Sequence, residues 1–114
     1  MALFVNRAME DKEHIIEVRI AVAPALAKMF DVEEPNWFDR MKEFREAATI
    51  GDLLDYLLLE FPKFKSVFST PQGDSISGLI EIFLNGTLLM LPNARQVKLN
   101  DRDLIIILPA YFGL

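Results

Sequence analysis

The chain has 114 residues, 52% of them hydrophobic and 25% charged, enough for one domain with its own core and no need of metal or disulfide staples. Its formal net charge is −5 and its isoelectric point about 4.8. That excludes nucleic-acid binding through clustered Lys and Arg and favours a basic protein groove as partner. Cysteine is absent, which removes disulfides, thiol nucleophiles and cysteine-based metal sites and fits a reducing compartment.

No apolar run approaches the roughly 18–20 residues needed to span a bilayer. The opening Met1-Ala-Leu-Phe-Val-Asn-Arg7 has neither a charged leader nor an apolar stretch of secretory length, so a cytoplasmic location is expected. Residues 1–13 match no recognised pattern and are read as an N-terminal extension, with a single domain over 14–114. From Ile15 the apolar residues Ile16, Val18, Ile20 and Val22 alternate with Glu17 and Arg19. Period two with β-branched residues predicts a strand with one buried face. Pro24 ends it, and Ala25–Phe30 suits a short helical turn.

Trp37–Phe44 carries two signals. Trp37, Met41 and Phe44 recur at helical spacing, whereas a family resemblance carried by the C-terminal motifs implies the second strand of a hairpin with the first, and the segment is read as a strand. Thr49–Phe61 is unambiguous. Thr49 is an N-cap candidate, Asp52 stands at the positive end of the helix dipole, and apolar residues follow at 50, 53, 54, 57, 58 and 61. Pro62 stops this helix, with a further turn expected over Lys63–Phe68.

Thr70–Gly78 is turn chemistry. Leu79–Leu84 then reads as a strand, Asn85-Gly86 as a tight hairpin turn, Thr87–Leu91 as a short return strand and Gln96–Leu99 as a further extended piece. Asp103–Leu108 is almost wholly aliphatic, as expected of a central strand buried on both faces. Composition and periodicity together give an α+β fold with a sheet covered on one side.

Few groups suggest chemistry. His14 is the sole histidine and has no second ligand or nucleophile at a recognised spacing. Asp31/Glu33/Glu34 and Asp101/Asp103 lack the alternating oxygen pattern of a cation loop and read as solvated turns, the Asp side chains bonding their own turn backbone. With no phosphate-cradling glycine loop and no nucleophile elbow, an enzyme with its own active site is not expected, nor is a metal or cofactor.

The order of the C-terminal motifs is more telling. Ile80-Glu-Ile-Phe-Leu-Asn-Gly86 is followed by Asn100-Asp-Arg-Asp103, and then by Leu104-Ile-Ile-Ile-Leu-Pro-Ala-Tyr-Phe-Gly-Leu114. This resembles the MoaD/ThiS family of ubiquitin-like sulfur carriers, with their F-x-N-G, x-D-G-D and P-x-x-x-G-G. Glu46-Ala-Ala-Thr-Ile-Gly-Asp-Leu-Leu54 is similar to the family's E-G-A-T-V-x-D-L-L. The resemblance covers about residues 14–114 and implies a β-grasp (ubiquitin-like) fold: a mixed sheet of four to five strands with one main helix packed across it.

In that family an activating enzyme adenylates the C-terminal carboxylate, which becomes a thiocarboxylate for molybdopterin, tungsten-cofactor or thiamin synthesis. The resemblance therefore implies two partners, an adenylating activating enzyme and a molybdopterin-synthase-like large subunit. It places the thiocarboxylate position at Gly113 and Leu114. It also implies a partner-binding surface of Val22, Leu88 and Leu108, with Pro109, Tyr111 and Phe112 leading into the tail. Leu114 is the departure, since a channel shaped for glycine rejects added carbons. The alternative is a β-grasp protein-interaction module that has lost carrier chemistry.

Overall fold

A computed structural model describes residues 14–33, 36–68, 79–90 and 93–110. The expectations for residues 1–13, Thr70–Gly78 and Tyr111–Leu114 fall outside them. Strand β1, Ile15–Val22, alternates as its sequence demands: Ile16, Val18, Ile20 and Val22 are buried, while Glu17 and Arg19 are exposed. Helix α1, Pro24–Ala27, opens on Pro24 and passes into a 3-10 turn, Lys28–Phe30.

Strand β2, Phe38–Arg45, pairs antiparallel with β1 over its whole length, Ile15 opposite Arg45 and Val22 opposite Phe38. The helical spacing of Trp37, Met41 and Phe44 is thus coincidental. Trp37 and Met41 are 47% and 52% exposed, whereas Phe44 packs against the core.

Helix α2, Ile50–Glu60, is the main helix. Its first turn is closed by a capping box: Thr49 Oγ1 accepts from the Asp52 amide at 3.3 Å, and the Asp52 carboxylate accepts from the Thr49 amide at 2.9 Å. Ile50, Leu53, Leu54 and Leu57 are sealed against the sheet. A 3-10 turn, Pro62–Phe64, and helix α3, Lys65–Phe68, follow. Phe30, Phe38, Phe61 and Phe64 pack ring against ring beside them, with centroids 4.7–5.3 Å apart.

Strands β3, Ile80–Leu84, and β4, Thr87–Leu88, form a hairpin whose turn needs left-handed backbone at Asn85 (φ 51°) and Gly86 (φ 86°). Gln96–Leu99 is not a strand. Asn93–Gln96 is a 3-10 turn, and only Lys98 bridges, to Thr49. Strand β5, Leu104–Pro109, lies in the middle of the order β2-β1-β5-β3-β4, parallel to β1 and antiparallel to β3.

Its burial corrects the expectation of two covered faces. Ile105 and Ile107 are buried under α2, but Leu104, Ile106 and Leu108 remain partly open on the far side. Among the described residues the helices lie on one face only, so a nearly all-aliphatic strand leaves apolar side chains partly open on the other.

Candidate functional site

Directly opposed residues of a sheet point to the same side, so the strand registers define the open face row by row. One row crosses all five strands: Asp39, Ala21, Ile106, Phe83 and Leu88. The next row, toward the end of β5, pairs Leu108 with Glu81. Met90, 74% exposed, flanks it on the β4 side, since the preceding Leu89 amide bonds the Ile82 carbonyl at 2.9 Å. Phe83, Ile106, Leu108, Leu88 and Met90 form a continuous apolar patch on β5, β3 and β4.

The β2 side of this face is mixed, with Asp39 and Glu43 alternating with the exposed Met41. Arg19 grips Asp39 with Nε and Nη2 at 3.0 and 2.6 Å, and this hydrogen-bonded guanidinium holds the Asp39 carboxyl below the usual carboxylate range. The ion pair marks where the apolar patch stops.

Val22 does not belong to the patch. It is fully buried, opposite Ile107 and Phe38 on the helix-covered face. The parity of β1 decides this: the residue of β1 that reaches the open face beside Ile106 is Ala21. Leu88 and Leu108 do share the open face, separated by β3. Tyr111, Phe112, Gly113 and Leu114 lie outside the described residues.

The exit of β5 is asymmetric. The Ala23 amide bonds the Ile107 carbonyl at 3.0 Å, the last rung on the β1 side. Two residues on, Pro109 offers that side no N–H, at the point where Pro24 turns the chain into α1. On the other side the Ala110 amide still bonds the Leu79 carbonyl at 2.9 Å. Pro109 therefore frees the chain from β1 alone, and pairing with β3 continues one residue further.

The Asn-Gly and Asp-rich motifs prove to be one structure. Asn85 Nδ2 donates to Asp103 Oδ1 at 2.8 Å, Asn85 Oδ1 accepts from the Leu104 amide at 2.8 Å, and Asp103 Oδ2 accepts from the Asn100 amide at 2.7 Å. Asp103 is 6% exposed, the only buried charged residue among those described, which corrects its reading as a solvated group. Asp101 behaves differently again, accepting from the Glu17 amide at 2.8 Å. The sequence held the signal in the spacing of the two motifs, but nothing in it said that they touch.

His14 is exposed and its Nδ1 lies 3.0 Å from Glu46 Oε2. Among the described residues no group of three or more His, Cys, Asp or Glu stands where it could hold a metal ion, and no helix is long and apolar enough to cross a membrane.

No protein-family model matches the chain, and no curated protein does. Solved structures do. Small archaeal modifier protein 1 of Haloferax volcanii superposes with a TM-score of 0.66 at 19% identity, over 86% of this chain and 99% of that one. Its counterpart from Methanosarcina acetivorans gives 0.64 at 24% identity, over 89% and 99%. A putative molybdopterin converting factor subunit 1 from Pyrococcus furiosus gives 0.62 at 18% identity, over 84% and 99%. The five-stranded mixed sheet, its main helix and these superpositions give the chain the β-grasp, ubiquitin-like fold.

Proposed function

We infer that this protein is a MoaD/ThiS-like carrier that docks through the open sheet face and presents residues 109–114 to its partners in the cytoplasm. The observation that carries the reading is the uncovered apolar patch of Phe83, Leu88, Ile106 and Leu108 beside the β5 exit. Apolar side chains left partly exposed on this face gain by being covered, about 25 cal/mol for each Å² removed from water. The partners are an adenylating activating enzyme and a synthase-like large subunit, and the chemistry is sulfur transfer for molybdopterin or a related cofactor, with Gly113 and Leu114 at the thiocarboxylate position. The protein supplies the carried group and the docking surface. The partners supply catalysis.

The test is incubation with the activating enzyme, ATP and a sulfur donor, followed by intact mass. The expected product carries the mass gain of one oxygen exchanged for sulfur. Leu114→Gly, which places Gly-Gly at 113–114, is expected to raise its yield without moving the melting temperature.

Leu114, with the bulky Tyr111 and Phe112 before it, favours a second reading, a β-grasp interaction module without carrier chemistry. In that case removal of residues 112–114 alters partner binding, and neither wild type nor Leu114→Gly acquires sulfur.

A further inference from the structure

Within the apolar patch stands one charge. Glu81 points to the open face opposite Leu108, with Phe83 two residues along its own strand and Met90 beside it on the β4 side. It is partly buried in this setting. Among the described residues its carboxylate has no ion pair and no side-chain hydrogen bond. Arg19 does not serve it, lying two strands away at the level of Leu104 and turned to Asp39.

A lone carboxylate on an exposed face is unremarkable as long as water solvates it. On a docking face it becomes decisive. Covering Phe83, Leu88, Ile106 and Leu108 strips water from Glu81 as well, because they surround it. A desolvated carboxylate without a counter-charge opposes association, whereas one that meets a guanidinium or ammonium group favours the correct partner and penalises others.

We propose that Glu81 is a specificity determinant of the docking face and that the partner presents an Arg or Lys side chain opposite it, within an otherwise apolar contact. The inference rests on the docking reading of this face and adds to it the chemistry of the partner's surface. Arginine fits best, since its planar fork can bind both carboxylate oxygens while its stem lies along Leu108 and Met90.

The test is calorimetric titration of the full chain into the purified adenylating enzyme, with Glu81→Gln, Glu81→Arg and Leu88→Asp as variants. Leu88→Asp reports on the face itself, and melting temperatures confirm that each variant is folded. Glu81→Gln is expected to weaken binding by at least about tenfold, and Glu81→Arg further still. The loss of affinity between about 50 and 300 mM salt should be steeper for wild type than for Glu81→Gln, a difference that a merely structural role would not produce. Wild-type binding that Leu88→Asp abolishes but Glu81→Gln leaves within about twofold overturns the role of Glu81 and leaves the docking reading intact. No binding by wild type, or binding indifferent to Leu88→Asp, overturns the docking reading and the Glu81 inference with it.

Discussion

Asn85 and Arg102 show how far a single residue's role can differ from its motif. Asn85 is a turn residue by sequence, but its side chain spends both polar atoms on the buried Asp103 turn. Replacing it with Ala leaves a buried carboxylate short of a donor and puts a side chain with no local hydrogen bond at φ 51°. Asn85→Ala is therefore expected to cost about 2–3 kcal/mol in urea unfolding. Asn85→Gly relieves the backbone and isolates the side-chain share, about 1.5–2 kcal/mol. Arg102 is the converse case. It occupies the place of glycine in x-D-G-D, and its φ is 68°. A non-glycine residue there is strained, so Arg102→Gly should stabilise by up to about 1 kcal/mol despite the more flexible unfolded chain. No decrease in unfolding at equal denaturant would show that the Arg102 backbone is not strained.

At the scale of elements, what could be read in the sequence depended on whether polar residues behave as polar. β1 and α2 were plain because their buried side chains are all aliphatic. β2 was not, because its core-side row is Phe38, Arg40, Lys42 and Phe44. Arg40 lies 5.2 Å over the rings of Phe38 and Phe61, and Lys42 lies 4.7 Å over Tyr56. These two cations cover aromatic surface with stem and charge, which a count of apolar residues scores as solvent-facing.

Strand parity decided the open face of the sheet. Leu88 and Leu108, expected there by likeness to a family, do share it, but Val22 lies on the buried face, one position of strand parity away. α2 yields two sharper expectations. Thr49→Ala removes one arm of the capping box and should cost about 1 kcal/mol. Gly51→Ala should also destabilise, although alanine is the better helix former by about 1 kcal/mol. A Cβ there would stand 3.0 Å from the Arg95 carbonyl oxygen and 3.3 Å from its Cβ. Arg95 has little room to retreat, as it is held by Asp55 at 2.9 Å. A rise in melting temperature for Gly51→Ala would show that the 3-10 turn yields.

For the whole molecule, the ionic groups predict the shape of its pH profile. Three exposed carboxyls are hydrogen-bonded by bases and lie below their ordinary values: Glu46 by His14, Asp39 by Arg19 and Glu60 by Arg40. A carboxyl with a lowered folded-state value stabilises above its ordinary value and loses that contribution as pH falls through the lowered one. Tyr56 runs the other way. Burial raises its hydroxyl above 10.0, so its contribution is present below 10.0 and disappears as pH rises through the higher value. The melting temperature should therefore be level across neutral pH, decline from about pH 4.5 downward and decline again in strong alkali. Because the acid-side pairs are exposed, about 1 M salt should flatten the acid limb. An acid limb indifferent to salt would assign the loss to other groups.

The parallel pairing of β1 with β5 also has a mechanical meaning. Force applied through His14 and Ala110 draws the two strands in opposite directions along one axis. The rungs from Arg19–Asp103 to Ala23–Ile107 are then loaded in shear together and cannot open one at a time. The neighbouring β3–β5 hydrogen bond at Ala110–Leu79 would be sacrificed first under the same load. A molecule held at its two ends should yield abruptly, at high force and in one step. Drawn by the tail alone against a partner seated on the open face, it should give up a single rung and keep its sheet.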